Sequence, residues 1–355
     1  MSPARALPAI LACAATAALG LAPAAAAADQ VRFRGTAYEF NKVETLLGGA
    51  TIRVAEYPKL RATVGKDGTY ELAVPDRAEV TPYIVAEGHH TIYLQTFTTA
   101  GEDLANVNFQ TPSDDVYDAL VALLEVPVDE NGELVECAIV STFSTRNVRD
   151  LGFAGFTGYG AHGIAGATAT ASPSLGEPVY FNEQVIPDRA QERSSEDGGV
   201  LWTRVPTGVY TVTAHHPETS FARFRATCRP GRVVNANPPW GLHELAPANP
   251  ARVAAAWSGA TLRSLTARRL PKRSVVRVRC GGCGSRSWSL RPQKATADLL
   301  GGRAVALGAG DTLEVTVTSH AFDGTVVRWT ARPGAAPRSR TLCVPLGNSR
   351  PRRRC

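Results

Sequence analysis

The sequence predicts a mainly β protein: two tandem β-sandwiches with one short helix, followed by a third small β-domain. Three observations carry that reading. A phrase built on an Asp-Gly pair occurs twice, first as Gly65-Lys66-Asp67-Gly68-Thr69-Tyr70-Glu71-Leu72-Ala73-Val74-Pro75. The second copy is Ser195-Glu196-Asp197-Gly198-Gly199-Val200-Leu201-Trp202-Thr203-Arg204-Val205-Pro206. Each copy has an upstream echo, Gly49-Ala50-Thr51-Ile52-Arg53-Val54 and Gly166-Ala167-Thr168-Ala169-Thr170-Ala171. An Asp-Gly pair between alternating apolar residues predicts a hairpin, because glycine accepts positive φ without steric cost. Short alternating runs punctuated by Gly, Asp and Pro recur along the rest of the chain, as in sandwiches. Finally, the charge balance changes sharply near residue 250, which marks a further domain.

Taken in order, residues 1–28 read as a secretory signal peptide. Arg5 gives the positive start, an apolar run follows to Leu21, and small residues lead to a cut before Asp29. Cys13 falls inside the apolar run. No later stretch is apolar enough for a membrane span, so the mature chain is expected outside the cytoplasm, secreted or held at the cell surface. The first sandwich is expected over 29–112, and a linking helix over 113–127. Ser113 or Asp114 would cap that helix, and Val116, Leu120, Leu123 and Leu124 recur at helical spacing. The second, divergent sandwich is expected over 128–247, with a glycine-rich loop from Thr145 to Gly163. Gly49 to Asp67 spans 18 positions, but Gly166 to Asp197 spans 31. The extra residues lie around Tyr180, Phe181 and Asn182, as a binding loop or as decoration without a ligand. Residues 246–250 read as a linker, and a basic β-domain with a tail follows over 252–355.

Apart from Cys13 there are six cysteines, an even number that behind a signal peptide reads as disulfides. Cys137 and Cys228 bracket the second sandwich and are expected to pair. Cys280 with Cys283, and Cys343 with Cys355, complete three local bridges. Residues 251–355 hold 20 Lys+Arg against 4 Asp+Glu, whereas residues 29–250 hold 17 against 28. The basic part therefore either attracts an external anion, such as a cell-wall polymer or polysaccharide, or faces the acidic body. Nucleic acid is not expected, because no aromatic-basic motif accompanies the charge. Lysine occurs five times, so nearly all positive charge is arginine, a bias that suits a GC-rich bacterial genome.

Few residues suggest chemistry. His215 and Glu218 have the His-x-x-Glu spacing of two zinc ligands, but no third ligand stands out, and catalytic zinc needs three. They form either a polar turn or part of a zinc-dependent peptidase or hydrolase site. Trp202 and Trp240 form either a sugar-stacking face or core. Asp67, Gly68, Asp197 and Gly198 are turn formers. No cofactor is expected.

The pattern Gly-Ala-x-x-x-Val, then Asp-Gly-x-Tyr-x-Leu-x-Val-Pro, resembles the carboxypeptidase regulatory-like domain. That resemblance implies a prealbumin-like (transthyretin-like, immunoglobulin-like) sandwich without catalytic residues of its own. It covers residues 31–112 well and the second copy through Asp197-Gly198, Val205-Pro206-Thr207-Gly208 and Tyr210-Thr211-Val212. The C-terminal stretch, with Val276-Arg277-Val278-Arg279-Cys280 and Leu342-Cys343-Val344-Pro345, resembles a domain appended to secreted actinobacterial proteins. Together these imply a non-catalytic secreted binding or structural protein of the cell envelope. The alternatives are a carbohydrate-binding module or a zinc-dependent hydrolase.

Overall fold

The computed structural model describes residues 29–149, 151–160, 162–281, 286–319, 321–345 and 351–353. The expected signal peptide, with Arg5 and Cys13, lies outside them. The described chain is built from strands with three short helices. None of these helices is long and apolar enough to cross a membrane.

The two Asp-Gly copies sit in units of the same topology. In the first, Gln30–Glu39 pairs antiparallel with Thr69–Pro75 and parallel with Phe109–Thr111. In the second, Cys137–Thr142 pairs antiparallel with Gly199–Val205 and parallel with Val233–Ala236. The opposite sheets match as well. Thr51–Val54 pairs with Pro82–Ala86, which pairs with His89–Tyr93. Thr168–Ser172 pairs with Gly208–His215, which pairs with Phe224–Cys228. Period-2 alternation turns Tyr70, Leu72 and Val74 inward onto Phe33, Ile52 and Ile84. Val200, Trp202, Tyr210 and Val212 belong to the second core.

The first Asp-Gly turn does not make the expected hairpin. Arg61–Thr63, before it, pairs with Thr51–Val54 in one sheet, whereas Thr69–Pro75, after it, pairs with Gln30–Glu39 in the other. The turn carries the chain across the sandwich. Local turn chemistry sets the reversal but not the sheet that the next strand joins. Asp67 Oδ1 accepts hydrogen bonds from the Thr69 amide at 3.1 Å and the Thr69 hydroxyl at 2.8 Å. Asp197 Oδ2 accepts from the Gly199 amide at 3.0 Å. Gly68 and Gly198 have φ of +74° and +78°.

The two turns differ in what surrounds the glycine. A Cβ on Gly68 would meet the flexible Leu46 side chain at 3.0 Å, but one on Gly198 would meet the Gly163 Cα at 2.7 Å. Gly68→Ala is therefore expected to cost about 1–2 kcal/mol, mostly the left-handed penalty, with a small shift of Leu46 and Thr36. Gly198→Ala adds a backbone clash and is expected to cost about 3 kcal/mol or more. Urea denaturation of the two variants checks the order, and equal losses would contradict it.

One sheet runs through both units. Val233 and Val234 pair in parallel with Ile92 and Tyr93, which joins strands of the two sandwiches into a nine-stranded sheet. The expected helix forms over Asp114–Leu124 and lies on this seam. It buries Tyr117 against Leu134 and Ala138, and Leu124 against Val179, Phe181 and Leu201. Ser113 occupies the N-cap without a side-chain capping bond, and Asp114 is the first helical residue. The Thr145–Gly163 stretch is more ordered than its glycines suggest. Two helical turns, Arg146–Arg149 and Phe153–Thr157, place Val148 and Phe156 against the buried Tyr38.

His90 couples the helix to the sheet. Its ring stacks on Tyr117 with centroids 3.6 Å apart, and its Nε2 lies 3.8 Å from Glu133 Oε2. Burial pushes its pKa down from 6.5 to about 4, against the opposing pull of Asp114 and Asp118. A depressed pKa means that this stability is intact above about pH 6.5 and is lost as pH falls toward 4. The loss approaches about 3 kcal/mol at the lower end. His90→Phe keeps the stack and removes the titration. The difference in unfolding free energy between wild type and His90→Phe should therefore shift by about this amount between pH 7 and 4, and a constant difference would contradict the assignment.

The third unit packs two sheets around a core that includes Leu262, Leu265, Val276, Val278, Leu313 and Val315. Arg252–Ser258 and Thr261–Arg268 form a hairpin in the four-stranded sheet. The five-stranded sheet runs Arg286–Leu290, Val275–Gly281, Thr312–Thr318, Gly324–Arg332, Ala335–Val344. The 246–250 segment is pinned by Asn249, whose Nδ2 donates to the Val317 carbonyl at 3.3 Å.

Candidate functional site

The five-stranded sheet sorts its arginines by strand alternation. On Val275–Gly281, Val276, Val278 and Cys280 point inward, and Arg277 and Arg279 point out. The register then aligns Arg279 with Glu314, Glu314 with Arg328, and Arg328 with Arg340. Thr330 pairs with Arg338, and Arg277 with Thr316. One outer face thus carries Arg277, Arg279, Arg328, Arg338 and Arg340, all exposed, around a single carboxylate. Glu314 is committed to Arg328, accepting from Nε at 2.9 Å and Nη2 at 2.6 Å. Arg277, Arg279, Arg338 and Arg340 form no ion pair among the described residues.

Adjacent strands lie about 4.8 Å apart and alternate residues about 6.8 Å apart along a strand, so this is a lattice of charge. Like charges facing each other across strands are destabilising. Around Arg328, Arg338, Arg340 and Arg353 the surface forms a broad depression of about 820 Å³. The sequence yields the count of arginines, but the shared face follows only from the register. The Arg-x-Arg alternation at 277–279 and 338–340 was the available signal.

Among the described residues, Arg352 joins the tail to the acidic body. Arg352 exchanges two backbone hydrogen bonds with Cys343, and its Nη2 lies 2.5 Å from Glu102 Oε2 of the first sandwich. Arg350 and Arg354 lie outside the described residues.

The other candidates scatter. Tyr180 and Trp202 are core side chains, 4% and 3% exposed, so they present no stacking face. The Trp202 indole donates to the Gly176 carbonyl at 2.9 Å. Trp240 is half-buried elsewhere, edge-on to Phe97 at 5.4 Å. Asn182 closes its own loop, its Oδ1 accepting from the Gln184 and Ile186 amides at 3.0 and 3.2 Å. Phe181 is buried at the end of the insertion strand and lines a cleft. His215 Nε2 is paired with Thr170 Oγ1 at 3.0 Å, and the Glu218 amide binds the neighbouring His216 at 3.2 Å. Among the described residues no group of three His, Cys, Asp or Glu side chains is placed to hold a metal. Cys137 and Cys228 form a disulfide. Cys280 and Cys343 are also disulfide-bonded, and their expected partners Cys283 and Cys355 lie outside the described residues.

No family model matches the chain, and no curated protein matches it. Among solved structures it is similar to the TIE protein of Bacillus anthracis, at 11% identity and TM-score 0.19, over 90% of this chain and 48% of that one. The chain thus spans about half the length of the Bacillus protein. It is also similar to a streptococcal ancillary pilin, at 9% identity and TM-score 0.19, over 92% of this chain and 99% of that one. A DUF3823 family protein from Bacteroides uniformis matches at 9% identity and TM-score 0.18, over 59% of this chain and 98% of that one. Likenesses at these TM-scores carry no argument about what this protein does.

Proposed function

We propose that the chain is a secreted, non-catalytic binding protein that the arginine face of its C-terminal sheet holds on an anionic polymer of the cell envelope. Its first two units would be carboxypeptidase regulatory-like sandwiches, exported by a signal peptide cut before Asp29. The observation that carries the reading is the register that sets four unpaired arginines on one exposed face. A flat, repeating array of charge suits a repeating anion better than a single small one. Guanidinium also matches carboxylate and phosphate geometry in a bidentate way.

Retention on a cell-wall or acidic-polysaccharide preparation is expected to weaken with salt and to disappear when residues 251–355 are deleted. Counterion release makes such attraction steeply salt-dependent. Equal retention of the truncated protein would contradict the reading.

A further inference from the structure

The outer face of the nine-stranded sheet is covered on one side of the seam by the helix Asp114–Leu124. Beyond the helix lies an open cleft of about 600 Å³. Its floor is the sheet at Val140, Thr142 and Asn235. Its walls come from three places: the Tyr38–Val43 turn, the residues Phe156, Gly160 and His162, and the 13-residue insertion with the second Asp-Gly turn. The insertion that distinguishes the two copies therefore builds one wall of a cavity that the first copy's own strand completes.

The lining has a one-sided chemistry. Glu183 and Glu196 stand on the rim and Asp197 is half-buried below them, whereas no lysine or arginine among the described residues lines the cleft. Burial raises the Asp197 carboxyl, with the hydrogen bond from the Gly199 amide pulling the other way. Asn235 is only 8% exposed. Its Nδ2 donates to the Gln110 carbonyl at 3.3 Å, and its Oδ1 accepts nothing among the described residues. His162 Nδ1 is held by the Gly160 carbonyl at 2.9 Å, which leaves Nε2 as an acceptor in the neutral ring. The half-buried Phe40 supplies aromatic surface, and the buried Tyr38, Phe156 and Phe181 back the walls. The fully buried Tyr38 hydroxyl approaches Asn237 without closing a hydrogen bond.

Unfilled acceptors, carboxylates and the Phe40 ring, with no lysine or arginine beside them among the described residues, are complementary to one class of ligand. We propose that this cleft binds an organic cation, a primary ammonium or guanidinium group carried on a polar chain. Charge-assisted hydrogen bonds to the carboxylates and contact with the Phe40 ring would hold the cation. The same field excludes anions, so the site is distinct in sign from the arginine face. The molecule would then bind opposite charges at two separate sites.

Two probe pairs test this by titration calorimetry on the full mature chain: a lysine tetrapeptide and a glucosamine tetramer, each beside its fully N-acetylated form. The cationic member of at least one pair is expected to bind at least tenfold more tightly than its acetylated partner, and the pair that responds identifies peptide or amino sugar as the source. Glu183→Gln with Glu196→Gln is expected to remove at least tenfold of that affinity. Glu130→Gln with Glu177→Gln, the same charge change outside the cleft lining, should leave it within twofold. No binding by either cationic probe, equal or tighter binding of the acetylated forms, or equal losses in both double variants would overturn the proposal.

Discussion

Replacing Cys137 and Cys228 together by alanine is expected to lower the stability of the second sandwich by about 4 kcal/mol. The bridge closes a loop with a sequence separation of 91, and chain-entropy estimates for loops near that length approach about 4.7 kcal/mol. Its position adds to the effect. Cys137 opens a strand of the nine-stranded sheet and Cys228 ends a strand of the opposing three-stranded sheet, so the bond staples the two layers. Both side chains are 1% exposed and belong to the core around Ile139, Trp202 and Val234. At roughly 3–5 °C per kcal/mol for a unit of this size, Tm should fall by about 12–20 °C. The shared sheet should spread the loss to the first sandwich, so scanning calorimetry should show both melting earlier. A fall below about 3 °C would contradict the staple.

The second large effect concerns binding. Changing Arg277, Arg279, Arg338 and Arg340 together to glutamine is expected to weaken affinity for an acidic polysaccharide by 30- to 150-fold at low salt. This follows from about 0.5–0.75 kcal/mol for each exposed ion pair. Stability should hold or rise slightly, because the four side chains are exposed and repel one another. Arg328→Gln should cost less than any of the four, since Glu314 already holds that guanidinium in two hydrogen bonds. Glu314→Gln frees Arg328 and should tighten binding. Surface retention of the variants reads all three effects, and weaker binding by Glu314→Gln would count against the array.

Much of the architecture was legible because the repeated phrase carries its own physics. Glycine at positive φ, alternation and proline mark turns and strands wherever they occur. What each turn connects was not legible. Asp67-Gly68 spans two sheets, since pairing partners such as Gly35 and Tyr70 are distant in sequence. The seam at Val233 and Ile92 is a parallel contact between units, for which no local signal exists. Cys137 and Cys228 were readable from their bracketing positions. Tyr180 invited a surface reading because an aromatic residue in an insertion looks the same whether it faces in or out, and for Trp202 the sequence left both a stacking face and core open. The basic domain gave its charge to simple counting. Only the register shows Arg279, Glu314, Arg328 and Arg340 in one row.

The most direct test of the arginine face is the salt dependence of binding to an immobilised acidic polysaccharide. A plot of log K against log salt should be linear for the wild type. Its slope should flatten by about 3 in the four-arginine variant, because each neutralised anion contributes roughly 0.7–0.9. Parallel slopes for the two proteins would show that these arginines do not touch the polymer, and would contradict the account.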